Sequence, residues 1–176
     1  MKFLNLIIKI IFIYFLSLSS SYSIETPNIK NLIVYEERQK IKLFDFLSED
    51  KNKVNLANFN SDLIILNFWA TWCVPCREEM PSLDNLQSKN DINKIAVIPI
   101  NIGGENIKVS KSFFEELNIT NLEVYVGEGA EIAKLLKLRG LPTTIFVDKE
   151  GNEFARIVGS IDFNSKEFLN WIDKLF

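Results

Sequence analysis

The sequence predicts an α/β fold, a three-layer α/β/α sandwich built on a mixed central sheet. Two runs, residues 63–68 and 95–100, are short and apolar enough to be strands buried on both faces, which favours parallel pairing. Residues 143–147 and 153–158 flank the turn 148–152 and predict an antiparallel hairpin. Helical patterns separate the parallel strands and follow the hairpin, and this order is typical of a layered α/β sandwich.

Apolar residues that recur every three or four positions predict four helices. The predicted helices cover residues 74–88, 107–117, 130–138 and 165–176. The inner side of the first carries Cys76, Met80, Leu83 and Leu86. Three smaller elements complete the prediction: an N-terminal hairpin of residues 41–46 and 54–56, a helical turn at 57–60 and a short strand at 124–126.

The chain has the length and composition of a single domain. It contains 176 residues, 47% of them hydrophobic, which is enough to bury one core. Its 20 basic and 23 acidic residues leave a net charge of −3 and no basic stripe of the kind that binds nucleic acid. We expect one domain over residues 40–176, a monomer without a cofactor, behind a polar linker at residues 24–39.

The N-terminus has the pattern of an export signal. Lys2 precedes a largely apolar run, residues 3–18, and a serine-rich patch follows at 19–23. The uninterrupted apolar core, residues 10–16, has the length found in signal peptides and is shorter than the about 20 residues that span a membrane. We therefore expect residues 1–23 to be a cleaved signal peptide or an uncleaved anchor, with the domain in the periplasm and membrane contact through this segment alone.

The candidate chemistry lies in Cys73 and Cys76, the only two cysteines, which directly follow the first apolar strand. A disulfide between them closes so small a loop that it is poorly suited to stabilising a fold. If Cys73 caps a helix that begins with Val74 and Pro75, free backbone N–H groups and the helix dipole favour its thiolate. Cys73 is then the attacking nucleophile, and the more buried Cys76 resolves the mixed disulfide.

Other uses of a cysteine pair are weighed against this one. Zinc usually needs four nitrogen or sulfur ligands, and the chain has no histidine and no further cysteine, so we predict no metal site. Haem attachment needs a histidine where Arg77 stands. Two rivals stay open: a Cu(I)-binding module that uses both thiolates with Met80 as a third ligand, and a non-catalytic module that docks partners on Trp72 and the Leu141 backbone.

Three motifs resemble those of the thioredoxin-like proteins of the TlpA/ResA type, which are exported or membrane-tethered bacterial thiol-disulfide oxidoreductases. The motifs are residues 67–77, residues 140–144 and the hairpin turn 148–152. The resemblance covers about residues 40–176 and implies a thioredoxin fold with an N-terminal hairpin. The long segment between the first two motifs accommodates a central extra strand and helix.

The resemblance also implies a substrate-binding surface. The proline matching Pro142 is cis and lies against the cysteine pair, while Leu141 offers its backbone to an extended client strand. Here a client is a protein whose disulfide exchanges with the pair. Trp72, Val74 and Pro75 are expected to complete the surface.

Two further positions are expected to tune the chemistry. Asn67 stands where plain thioredoxins carry a buried aspartate. Glu79 matches the acidic residue beneath the family's site, and we predict that it is catalytic. A carboxylate there makes the thiols harder to deprotonate and can relay a proton to or from Cys76. Arg77 lies one turn from Cys73 and can favour its thiolate, although a surface role is commoner.

The predicted function is disulfide reduction in the periplasm. Cys73 attacks a client disulfide, Cys76 resolves, and a membrane electron-donor protein re-reduces the pair. The family implies clients with cysteine pairs, either apocytochrome c or copper-delivery proteins for a terminal oxidase. Pro142-Thr143-Thr144 departs from the Pro-Glu-Thr usual in the dedicated cytochrome-maturation branch. An oxidase or isomerase stays open because the direction depends on potential and partner.

Overall fold

A computed structural model of the chain describes residues 27–175. The predicted signal peptide or anchor, residues 1–23, lies outside the described residues. The strands are β1 Leu32–Lys40, β2 Phe46–Leu47, β3 Lys53–Val54, β4 Leu63–Trp69, β5 Ile95–Asn101, β6 Tyr125–Val126, β7 Thr143–Asp148 and β8 Asn152–Val158. The helices are α1 Val74–Ser88, α2 Ile107–Glu116, α3 Gly129–Leu135 and α4 Lys166–Asp173, and a 3₁₀ turn covers Leu56–Asn58.

The strands form one mixed sheet in the order β1-β8-β7-β4-β5-β6-β2-β3. At its centre, β4 pairs with β5 in parallel and with β7 in antiparallel orientation. The hairpin of β7 and β8 and the parallel β4–β5 pair confirm the two predictions on which the fold class rested. The predicted N-terminal hairpin is also present, as β2 and β3 at one edge of the sheet.

The side chains of β4 alternate between the two faces of the sheet, as a fully buried strand requires. Leu63 and Ile65 pack in a core with α1, α2 and α4, whereas Ile64 and Leu66 pack in a second core with α3. Two cores, one on each face, make three layers. The predicted α/β/α sandwich is therefore confirmed, and Asn67 falls by alternation on the α1 side.

The predicted linker at residues 24–39 is wrong over its second half. Leu32–Lys40 forms β1, which pairs with β8 at an edge of the sheet, with Leu32 opposite Ile157. The second half of this strand carries mainly charged residues, and most of them are exposed. An edge strand tolerates such residues because one of its sides faces water, and they also discourage pairing with another chain.

Two helices end at residues that the sequence does not mark clearly. Asn118 follows α2 and Lys137 follows α3, each with a φ of 54°. In both cases the next residue donates its N–H back to the preceding turn, Ile119 to the Phe114 oxygen and Leu138 to the Ala133 oxygen, each at 2.9 Å. This is the Schellman arrangement, in which the left-handed residue that ends the helix is usually a glycine. At the end of α3 that residue is Lys137, so the sequence does not mark the end and the predicted helix is too long.

Candidate active site

The structure places the cysteine pair where β4 passes into α1. β4 is buried throughout and ends at Trp69, and Cys73 is the N-cap residue of α1. Cys73 and Cys76 are joined by a disulfide, with their Cα atoms 5.3 Å apart. Cys73 retains 5% of its exposure and Cys76 none. The sulfur of Cys73 is therefore the one that a client can approach.

The start of α1 favours negative charge on Cys73. The backbone N–H of Cys76 donates to the Cys73 sulfur at 3.3 Å, and Pro75 occupies the first turn, where a missing N–H costs nothing. The positive end of the helix dipole points at the same sulfur. A thiolate on Cys73 would be stabilised by both effects.

The five residues predicted to bind substrate lie at this end of the sheet. Trp72 and Val74 are about two-thirds exposed, at 66% and 65%, and Pro75 is exposed as well. The Leu141–Pro142 peptide bond is cis, with Leu141 half-buried and Pro142 buried. β7 begins just after this bond with Thr143, which lies opposite Phe68 of β4. The antiparallel register thus brings Leu141 and Pro142 to the carboxyl end of β4, where the cysteine loop begins.

Glu79 is a buried acid on the inner side of α1. Its exposure is 2%, and burial raises its pKa from 4.5 to about 8. Two hydrogen bonds oppose that rise, from the Asn67 side-chain amide at 2.7 Å and from the Ile161 backbone N–H at 3.4 Å. Glu79 also lines a cavity of about 310 Å³ with Ser160 and Asp162. A group of this kind can exchange a proton near neutral pH.

Asn67 and Thr144 form the rest of the buried polar cluster. Asn67 Nδ2 donates to Thr144 Oγ1 at 3.0 Å as well as to Glu79, and both residues are at most 1% exposed. The two residues lie opposite each other in the β4–β7 register. The sequence marks Asn67 as the counterpart of an aspartate, but it carries no signal for a role of the Thr144 side chain.

A loop after β5 also holds the active-site turn, and local sequence patterns do not reveal it beyond a break at Gly103–Gly104. The Glu105 carboxylate accepts hydrogen bonds from the backbone N–H and the hydroxyl of Thr71. The Trp72 indole N–H donates to the Gly103 oxygen at 3.5 Å. A Cβ on Gly103 would lie 2.6 Å from that of Ala70, so only glycine fits. The loop therefore fixes the residues immediately before Cys73.

Two other residues near the pair have structural roles. Arg77 pairs with Glu116 at 2.8 Å and its guanidinium lies 4.7 Å from the centre of the Phe113 ring. These contacts hold α1 against α2 and account for the arginine as a surface residue. Met80 is fully buried in the core on the α1 side, as the helix pattern predicts.

The chain is similar in sequence to a known protein family. Residues 38–152, more than half of the chain, match the AhpC/TSA family. The chain belongs to this family. A curated relative is the thiol-disulfide oxidoreductase ResA of Bacillus thuringiensis subsp. konkukian (strain 97-27), 33% identical over 107 residues. That match covers 61% of this chain and 61% of the relative, so the chain matches less than two-thirds of the relative's length.

Solved structures share the fold. A secreted thiol-disulfide isomerase from Corynebacterium glutamicum superposes with a TM-score of 0.70 at 24% identity, over 85% of this chain and 94% of that one. A DsbF homologue from Corynebacterium diphtheriae gives 0.68 at 25% identity, over 85% and 96%. The predicted thioredoxin fold and the resemblance to ResA-type proteins are thereby confirmed.

Within residues 27–175, none of the helices has both the length and the apolar character needed to cross a bilayer. The same residues contain no group of three or more histidine, cysteine, aspartate or glutamate side chains arranged to hold a metal ion.

Proposed function

We propose that the chain is a thiol-disulfide oxidoreductase that reduces disulfides in client proteins. The observation that carries this proposal is the Cys73–Cys76 disulfide at the start of α1 with the buried acid Glu79 behind it. A bond across so short a loop stabilises the fold little, whereas it can open and close without disturbing the core. The names of the ResA relative and of the secreted isomerase support the same class of reaction.

The reaction starts from the reduced pair. The Cys73 thiolate attacks one sulfur of a client disulfide, forms a mixed disulfide and releases the first client thiolate. Cys76 then gives up its proton and attacks the Cys73 sulfur, which breaks the mixed disulfide and releases the second client thiolate. Two electrons pass to the client, and Cys73 and Cys76 end as the disulfide seen in the structure. An external dithiol restores the reduced pair by the reverse exchange.

Glu79 serves the second step in this scheme. Cys76 is fully buried, so its thiol has no direct contact with water to which a proton could be lost. Glu79 follows it by one turn of α1 and reaches the cavity beside Ser160 and Asp162. The carboxylate accepts the Cys76 proton and passes it toward solvent along that side.

The proposal extends to location and partners. The apolar run at residues 3–18 and the word "secreted" in the name of a structural neighbour support a domain outside the cytoplasm, facing the periplasm. Residues 1–23 would be removed or would anchor it. A membrane electron donor then re-reduces the pair, and the clients are proteins with exposed cysteine pairs, such as apocytochrome c or copper-delivery proteins.

Trapping of mixed disulfides tests the proposal. In Cys76→Ser the attack by Cys73 proceeds but resolution cannot, so a client with a cysteine pair should accumulate as a covalent adduct on Cys73. Cys73→Ser is the matched control and should form no adduct. Gel electrophoresis without reductant, with and without later dithiothreitol, measures both. Equal adduct levels in the two variants, or none in either, would contradict the proposed order.

A further inference from the structure

Asn67 is a buried amide that is paired on one side only. Its side chain is fully buried on β4, and both of its hydrogen bonds are donated by Nδ2, to Glu79 and to Thr144. Its carbonyl oxygen Oδ1 has no hydrogen-bond partner within residues 27–175. A buried carbonyl oxygen without a partner is destabilising, and an apolar side chain of the same size would avoid that cost. Stability alone does not account for this residue.

A second buried asparagine, Asn101, has an amide with a purely structural role and serves as a comparison. Asn101 ends the neighbouring strand β5 and is 1% exposed. Its Nδ2 donates to Ser110 Oγ at 2.9 Å, and its Oδ1 accepts from the Gly103 N–H at 2.8 Å. Both ends of that amide are satisfied. Asn67 differs because its Oδ1 has no partner within the described residues, while its Nδ2 donates to both Glu79 and Thr144.

Thr144 determines which way the Asn67 amide faces. The Thr144 hydroxyl oxygen accepts one N–H at 3.0 Å, which directs the other toward Glu79 Oε1 at 2.7 Å. Thr144 itself is fixed opposite Asn67 by the β4–β7 register. The strand pairing thus holds an N–H donor against the buried carboxyl.

We propose that Asn67, oriented by Thr144, is a positioning residue that holds the Glu79 carboxyl and sets how tightly that group binds its proton. The inference rests on the proposed function, in which Glu79 accepts the proton of Cys76. The Asn67 N–H favours the carboxylate, while burial favours the neutral acid. The opposition of these two effects keeps Glu79 able both to take up and to release a proton.

The surroundings of Glu79 support this role. Burial raises the pKa of Glu79 to about 8, and the hydrogen bond from Asn67 is the larger of the two contacts that lower it, ahead of Ile161. The charged side chains that share its cavity, Glu78 on α1 and Asp162 on the loop before α4, are both acidic. From β4 and β7, the uncharged Asn67 and Thr144 complete the buried polar cluster. Asn67 is therefore the main group that favours the Glu79 carboxylate.

Asn67→Leu tests the inference because leucine has the same branching and the same number of heavy atoms as asparagine but no hydrogen-bonding group. Carboxyl NMR of the reduced protein should show Glu79 binding its proton roughly tenfold more tightly or more, as expected from loss of a charge-assisted hydrogen bond. The rate of the resolving step is measured as client release from a mixed disulfide. Its pH dependence should shift to higher pH by the amount that corresponds to this tighter proton binding.

Thr144→Val and Thr144→Ser supply a second and independent comparison. Loss of the hydroxyl in Thr144→Val should shift the Glu79 titration in the same direction by a smaller amount, and Thr144→Ser should restore it. Asn101→Leu is the matched control, since it removes a buried amide of similar burial, and it should leave the Glu79 titration unchanged. An unshifted titration in Asn67→Leu, or an equal shift in Asn101→Leu, would overturn the inference. If Asn67→Leu does not fold, the two Thr144 variants decide.

The same experiments separate this inference from the proposed function. If the unaltered protein reduces client disulfides but Glu79 titrates identically in Asn67→Leu, the role of Asn67 is wrong and the function stands. If the titration shifts as expected but the unaltered protein reduces no disulfide, the function is wrong and the role of Asn67 stands.

Discussion

The two cysteines of one disulfide lie in contrasting surroundings. Around Cys73 the side chains are apolar and exposed, with Trp72 and Val74 about two-thirds open to solvent. Beneath Cys76 they are polar and buried, with Asn67 and Glu79 almost completely inaccessible. Most proteins place these classes of side chain the other way round.

The contrast separates two tasks within one turn of helix. Exposed apolar residues beside the attacking sulfur suit contact with a client, whereas buried polar residues beside the resolving sulfur suit movement of a proton in a place that water does not reach. α1 connects them because residues three positions apart lie one above the other on a helix. Substitutions on one side of the disulfide should therefore affect one task and leave the other unchanged.

The largest effect is expected from the inner side, in Glu79→Gln. The folded protein holds the pKa of Glu79 at about 8, above its ordinary value of 4.5, so the stability tied to this group is complete below pH 4.5 and is lost as the pH rises toward 8. By pH 7 the resulting loss of unfolding free energy reaches up to roughly 3 kcal/mol. Glutamine does not ionise, so the Glu79→Gln variant should not lose this stability.

Chemical denaturation of the oxidised proteins between pH 4 and pH 9 measures this difference. The unfolding free energy of Glu79→Gln should exceed that of the unaltered protein at neutral and alkaline pH, with the gap closing near pH 4.5. Parallel pH profiles for the two proteins would show that Glu79 is not held as a neutral acid and would remove the contrast between the two sides.

A smaller effect is expected from the outer side, in Trp72→Ala. Loss of a large exposed aromatic contact should raise the KM for a protein client by about tenfold, the effect typical of one contact of this size. The rate of Cys73 alkylation by a small reagent should change little, because the helix start that favours its thiolate is retained. An equal loss with client and small reagent would mean that Trp72 acts on the sulfur and not on the client.

The smallest effect is expected in the loop that supports the outer side. Glu105→Ala removes the acceptor of the Thr71 N–H and hydroxyl, and it should lower the unfolding free energy by about 1 kcal/mol. Lys108→Ala, an exposed change on the adjacent α2, is the control and should have a smaller effect. Equal losses in both variants would contradict the supporting role of Glu105.

The sequence predicts the elements of this site better than its contacts. Strong apolar runs fix β4 and β5 to within one residue at each end, and the cysteine spacing with a proline between locates the start of α1. The edge strand β1 is missed because its charged residues conceal the strand pattern. Its pairing with β8 depends on the position of a sheet edge, which becomes evident only when the chain is folded.

The buried cluster illustrates the same limit at the level of side chains. Asn67 and Glu79 stand out because each occupies a position with a known counterpart, but the burial that raises the pKa of Glu79 comes from packing across the sheet. Thr144 is 77 positions from Asn67 along the chain, and Glu105 is 34 from Thr71. Contacts at such separations follow from strand register and loop path, which local patterns do not encode.

The most direct test of the central claim is the reduction potential of the Cys73–Cys76 couple. Equilibration of the protein against glutathione or dithiothreitol buffers, followed by thiol alkylation and mass measurement, gives this value. A reductase requires a potential near or below about −220 mV, and we predict that result. A potential near about −120 mV would identify a strong oxidant and would contradict the account.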